Sequence, residues 1–208
     1  DESIRIMKSG ETIHLRQGKP YARTIGDLDL RVTMDGNRWN VEHRHRVPGS
    51  AAGGFTTTRI HHHSPASSLE ITPLMPDRPV VVDFENPVRI VTGHTVCFFV
   101  PIPLWVGLAD KRDMDVILMD LPSVVLSNTW FGDHYSGILS YSLKTHPVVT
   151  PDGWTPSHNE ALCPVEVRME SPEIFSFRKV CLFAQYLTVY RRDDIFWTNG
   201  VVVEYPGE

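Results

Sequence analysis

The stretch "DLDLRVTMDGN", Asp27 to Asn37, decides the fold class. Leu28, Leu30 and Val32 alternate with Asp29, Arg31 and Thr33, the two-residue period of a strand with one face in a core and one in water. Asp-Gly-Asn then supplies a turn, because these residues tolerate the backbone angles that a chain reversal needs. Working outward, "SIRIMKS" and "TIHLRQ" alternate around Gly10 and Glu11 and predict a further hairpin, so the N-terminal third reads as a meander.

The rest of the chain keeps the same punctuation. Short β-branched and aromatic runs are separated by Pro, Gly, Asn and Asp, and few windows hold a helical period. "PVRIVTG", "HTVCFFVPI" and "LWVGLA" are apolar on both faces, as in strands buried within packed sheets. "LEITPLMPDRPVVV", with prolines at 73, 76 and 79, predicts an edge strand or an extended crossing between sheets. "DMDVILMDL" predicts a strand and is the best place for a short helix. "IFSFRKVCLFAQYLTVYRR" predicts one long strand bent midway. The expectation is an all-β protein: a two-sheet antiparallel β-sandwich with long loops, little or no helix, and one domain over residues 1–208. A long loop falls at about residues 48–68, where "PGSAAGGFTTTRIHHHSPASS" loses the apolar pattern apart from one short strand.

Composition narrows the function classes. The 208 residues are 41% hydrophobic, enough for a sizeable core, and carry a net charge of −5. With a pI of about 6.1 the chain lacks the basic field of a nucleic-acid binder, so no nucleic-acid partner is expected. Its longest apolar run, Val96 to Ala109, is interrupted by two prolines and a glycine, and no membrane insertion is expected. Three cysteines cannot all pair; Cys97 and Cys181 sit in apolar runs and are expected in or near the core. The first residues are charged and lack the apolar segment of a signal peptide, which together with the thiols gives the expectation of a cytoplasmic protein.

Histidine is the residue type with the clearest chemical potential. Imidazole is a common zinc ligand, and residues two apart on a strand share a face. "HRH" (His43, His45) and "HHH" (through His61 and His63) are each two-ligand plates, and four imidazoles would converge if their strands paired. The competing reading makes "EHRHR" an exposed polar strand and the triplet a polar loop. Asp110, Asp113, Asp115 and Asp120 read as solvated acids around a turn. Nucleotide-binding glycine motifs, the nucleophile elbow, the HExxH zinc motif and the EF-hand loop are all absent from the sequence.

Two loops gather aromatic planes, polar tips and glycines: "NTWFGDHYSG", with Trp130, Phe131, His134 and Tyr135, and "PDGWTPSHN", with Trp154 and His158. Such loops suit a ring-bearing ligand or a partner's side chain if both lie at one end of a sandwich, and otherwise cap its core.

"ITPLMPDRPV", "VCFFVPIPLWVGL", "NTWFGDHYSGILSYS" and the closing "PVEVRMESPEIFSFRKVCLFAQYLTVYRRDDIFWTNGVVVEY" resemble the prokaryotic family catalogued as domain of unknown function 432, from about Glu70 onward. The resemblance implies a single mainly β domain without an established activity. Its motif, an aromatic-Gly turn, a second glycine and a strand, falls on Phe131, Gly132, Gly137 and Ile138 to Tyr141. Ser140 and Tyr141 stand where a cysteine and a basic residue are expected. The resulting expectation is a non-catalytic module that binds a small ligand or a protein, or assembles as a homo-oligomer, with no cofactor. The alternative is a metal-dependent enzyme holding zinc or a similar divalent metal on the histidine cluster.

Overall fold

The structure is a computed structural model that describes residues 11–205 except 17, 48, 50–52, 62–67, 92–93, 111–112, 152–154, 156, 170–174 and 193. The first hairpin expected from "SIRIMKS" therefore lies outside the described residues.

The chain forms two compact units, each discontinuous in sequence: Asp1–Leu74 with Leu104–Val125, and Met75–Pro103 with Leu126–Glu208. Each unit has its own hydrophobic core.

The first unit holds two four-stranded antiparallel sheets. One contains β2 (Tyr21–Ile25), β3 (Leu28–Asp35), β4 (Arg38–His45) and β5 (Thr56–His61) in that order. The other contains β1 (Glu11–His14), β6 (Ser68–Leu74), β9 (Trp105–Asp110) and β10 (Asp113–Pro122), ordered β1-β6-β9-β10. The alternation in "DLDLRVTM" is realised as read. Leu28, Leu30 and Val32 point inward with Trp39 and Val41 of β4, and they meet Leu69, Ile71, Val106 and Leu108 from the second sheet in one core. Asp35 faces Arg38 across the reversal at Gly36 and Asn37. Of the two expectations for the proline-spaced segment, the crossing is realised: β6 pairs with β1 as far as Ile71 and with β9 on its other side, Pro73 lies beyond the β1 pairing, and the chain then runs through Pro76 and Pro79 to β7 (Val80–Ile90) in another sheet. "DMDVILMDL" is a strand, β10, with two register irregularities.

The second unit also has two sheets, and both are mixed. One is ordered β11-β12-β7-β14, from β11 (Ser127–Phe131), β12 (Ile138–Thr145), β7 (Val80–Ile90) and β14 (Phe175–Leu182). The other runs β15-β16-β13-β17, from β15 (Val189–Arg192), β16 (Ile195–Thr198), β13 (Glu160–Met169) and β17 (Val201–Tyr205), with β8 (Thr95–Pro103) also pairing β13. β7 pairs β12 in parallel, as β13 does β16 and β17. The purely antiparallel expectation is corrected here: long excursions separate β7 from β12 in sequence, so the two need not be hairpin partners.

Inner faces of both sheets share one core, in which Phe84 sits edge-on to Phe98 at 5.4 Å and to Phe177 at 6.0 Å. The single bent strand expected over Ile174–Arg192 is broken: β14 stops at Leu182, a 3-10 turn occupies Ala184–Tyr186, and β15 begins at Val189. Among the described residues no helix is long and apolar enough to cross a membrane.

Candidate functional site

β11 and β12 are joined by six residues, Gly132 to Gly137, whose geometry is held from within. Gly132 has φ of 107°, a region that side chains disfavour. Gly137 lies so close to the Trp130 ring that a methyl group there would fall on Nε1 and sit 2.6 Å from the Asp133 carbonyl oxygen. That carbonyl accepts two hydrogen bonds, from Trp130 Nε1 at 2.9 Å and from the Gly137 amide at 2.9 Å.

The Asp133 carboxylate closes the other half of the turn. Oδ1 accepts the amides of Tyr135 at 2.7 Å and Ser136 at 2.9 Å, and Oδ2 accepts the Ser136 hydroxyl. These bonds, the Ser136 hydroxyl first, hold the carboxyl below its ordinary value, because each favours the charged form. The Trp130 ring is thereby fixed without being covered, and the Tyr135 backbone is held beside it. Trp130 is 52% exposed and Tyr135 fully so, with Phe131 and His134 exposed beside them.

Away from this loop, two residues that the sequence reading missed, Asp77 and Arg78, tie to β12 and β11. Tyr141 lies opposite Asn128, donates its hydroxyl to Asp77 Oδ1 at 2.8 Å, and has the Arg78 guanidinium over its ring at 5.5 Å. Arg78 also donates to Asn128 Oδ1 at 3.5 Å. No local motif marks Asp77 and Arg78, since only the β7–β12 register brings them beside Tyr141.

Register also places a second aromatic pair at the same end of the sheet. Tyr141 and Leu182 are both partners of Val80, so the residues before β12 and those after β14 emerge together. Phe183 and Tyr186 stack there at 6.4 Å, with Tyr186 77% exposed. The other expected ligand loop contributes less. His158 is exposed in the turn before β13, in the other sheet of the unit, and Trp154 lies outside the described residues.

The histidines separate. β4 and β5 do pair, but His43 lies opposite Thr56 while His61 lies opposite Arg38, five residues along, about 17 Å at ~3.4 Å per residue. They also face opposite ways: His43 and His45 continue the inward row of Trp39 and Val41, and His61 shares the outer face with Arg38. A single zinc, with Zn–N of ~2.1 Å, does not span these positions. His63 lies outside the described residues, among which no three His, Cys, Asp or Glu side chains group as a metal cluster.

The expected solvent-facing reading of "EHRHR" is corrected too. His43 is half-buried opposite Leu30, its Nδ1 without a hydrogen-bond partner among the described residues. His45 Nε2 lies 2.8 Å from the Pro122 carbonyl oxygen on β10. Burial, and then the charge of His45 with its ring 6.4 Å away, push the His43 imidazole below its ordinary value.

Of the cysteines, Cys97 is exposed, because alternation along β8 turns Phe98 and Val100 inward and Cys97 out. Cys163 is fully buried, and burial pushes its thiol up to about 11 against a smaller opposing hydrogen bond with Thr198.

Compared with known protein families, residues 12–208 match the model described as protein of unknown function (DUF432). The chain belongs to this family. No curated protein and no solved structure matches it. The DUF432 match begins well before Glu70, where the resemblance in the sequence starts, and so takes in the N-terminal sheets. The motif glycines are the two that shape the β11–β12 turn. Beyond them Ser140 is wholly buried, while Tyr141 uses its hydroxyl on Asp77.

Proposed function

We propose that this DUF432 chain is a non-catalytic binding or assembly module whose contact surface is the β11–β12 turn. The observation that carries the reading is the hydrogen-bonded cap centred on Asp133, which holds the Trp130 indole exposed in one geometry and anchors the backbone of Tyr135 beside it. Exposed aromatics are costly in water and dominate interface energetics when covered. Fixing the indole beforehand lowers the entropy lost on binding. A ring-bearing small ligand or a protein is the partner this surface suits. The same reading takes the protein to be cytoplasmic, consistent with its three free cysteines, and to need no cofactor.

The test is a titration of the 15N-labelled chain with indole, phenol, glucose and the unlabelled chain, one at a time. Shift changes centred on the Trp130 indole N–H, Phe131 and Tyr135 with at least one probe, and lost in Tyr135→Ser, are expected. Changes centred elsewhere, or none with any probe, would remove this surface as the functional one.

A further inference from the structure

The edges of the sheets are not all alike. An edge strand offers unpaired backbone donors and acceptors to any other strand, and proteins guard such edges with charge, proline or bulges. Among the described residues β11 is an edge, since its sheet runs β11-β12-β7-β14 and no strand lies on its other side. Its sequence, Ser-Asn-Thr-Trp-Phe, has no charge and no proline, and its pairing with β12 is unbroken from Ser127 to Phe131. Four of its five residues are exposed and Thr129 is half-exposed, so nothing described covers it.

The other edges are guarded. On the opposite side of the same sheet β14 carries Arg178 and Lys179 and a register irregularity between Phe177 and Lys179. Elsewhere Arg23 guards β2, Arg59 guards β5, Arg191 and Arg192 guard β15, Glu204 guards β17, prolines interrupt β8 and end β10, and β1 is only four residues long and starts with Glu11.

We infer that β11 is a pairing edge and that its occupant is β11 of a second copy, antiparallel about a two-fold axis through Thr129. This deepens the assembly half of the proposed function and rests on it. Under that symmetry Thr129 faces Thr129 of the copy, Asn128 faces Trp130, and Ser127 faces Phe131, so each contact is made twice. Cross-strand Thr pairs are favourable, and no like charges meet. Charge favours this patch over others. Two chains of net charge −5 repel in general, and β11 is a strand on which neither copy brings a charge to the contact. Flanking charges come in opposite signs, Asp77 beside Arg78. The assembly is also closed. Pairing uses up both β11 edges, and the guarded β14 edges stop further growth, so the result is a dimer with a continuous sheet rather than a fibre.

The experiment uses the full chain with Cys97→Ser, which removes the exposed thiol. Thr129 at the axis would lie ~4.5–5.5 Å from its counterpart between Cα atoms, within disulfide reach of ~4.4–6.8 Å. Thr129→Cys is therefore expected to form a covalent dimer under copper-phenanthroline oxidation, and Thr57→Cys on the Arg59-guarded edge is not. Sedimentation is expected to show twice the 23.6 kDa chain mass for the parent. Thr129→Lys, which sets two ammonium groups face to face, is expected to weaken the dimer by about tenfold or more. A parent that stays monomeric, with no preference of Thr129→Cys over Thr57→Cys, overturns the inference. If that monomer still shows ligand-induced shifts at Trp130, the binding module stands without the dimer. A silent Trp130 sinks both.

Discussion

The Trp130 indole donates its Nε1–H to the Asp133 carbonyl at 2.9 Å, across the back of Gly137. Ring, carbonyl and glycine are mutually dependent, because no side chain fits between them. Gly137→Ala is expected to break the turn and cost about 1–3 kcal/mol. Urea unfolding followed by circular dichroism measures the loss, and an unchanged midpoint would mean that the turn can shift to admit a methyl group.

The carboxylate half of the turn has its own signature in pH. The Asp133 pKa is depressed in the folded chain, so its contribution is present above the unfolded value near 3.8 and is lost as pH falls through the lower folded value. Hydrogen-exchange protection of the Tyr135 and Ser136 amides is expected to persist down to about pH 4. In Asp133→Ala it should be missing at every pH.

His43 has the opposite relation to acid. Its folded pKa lies below the ordinary 6.5, so the unfolded chain takes up the proton first and stability falls as pH drops below about 6.5. The loss levels off once pH is below the folded value. His43→Leu, which also removes the unpartnered Nδ1, is expected to flatten this part of the melting-temperature profile relative to the parent. Parallel profiles for the two proteins would show that the imidazole titrates alike in both states.

The thiols should react in order of exposure. Iodoacetamide at mildly alkaline pH is expected to modify Cys97 in the native protein and to leave Cys163 untouched until the chain is unfolded. Peptide mass spectrometry reads both, and early labelling of Cys163 would contradict its burial.

Phe84 tests the core of the second unit. Wholly buried and edge-on to two phenylalanines, it should cost about 3–5 kcal/mol when truncated to alanine. Chemical denaturation monitored by circular dichroism measures this. A cost well under 1 kcal/mol would mean the site collapses around the gap.

Local pattern carried much of the fold. The alternation at Leu28, Leu30 and Val32, the reversal at Gly36 and Asn37, and the two-faced burial of β9 follow from which neighbours are apolar, a property of a few consecutive residues. The turn carrying Trp130, Phe131, His134 and Tyr135 was legible for the same reason, as aromatics gathered around two glycines. Its internal bonding was not, nor were the contacts that Asp77 and Arg78 make with Tyr141 and Asn128, fifty residues and more away.

By itself the sequence determined that the chain is built of strands, where most of them turn, and which aromatic loop stands out. Tertiary structure alone decided that the strands serve two cores, that β7 and β12 run parallel, that His43 and His61 stand on opposite faces, and that β11 is an edge. The reason is physical: side-chain alternation is written within one strand, whereas pairing and register depend on which distant strands bury each other's apolar faces, and one residue of slip turns every side chain to the other face.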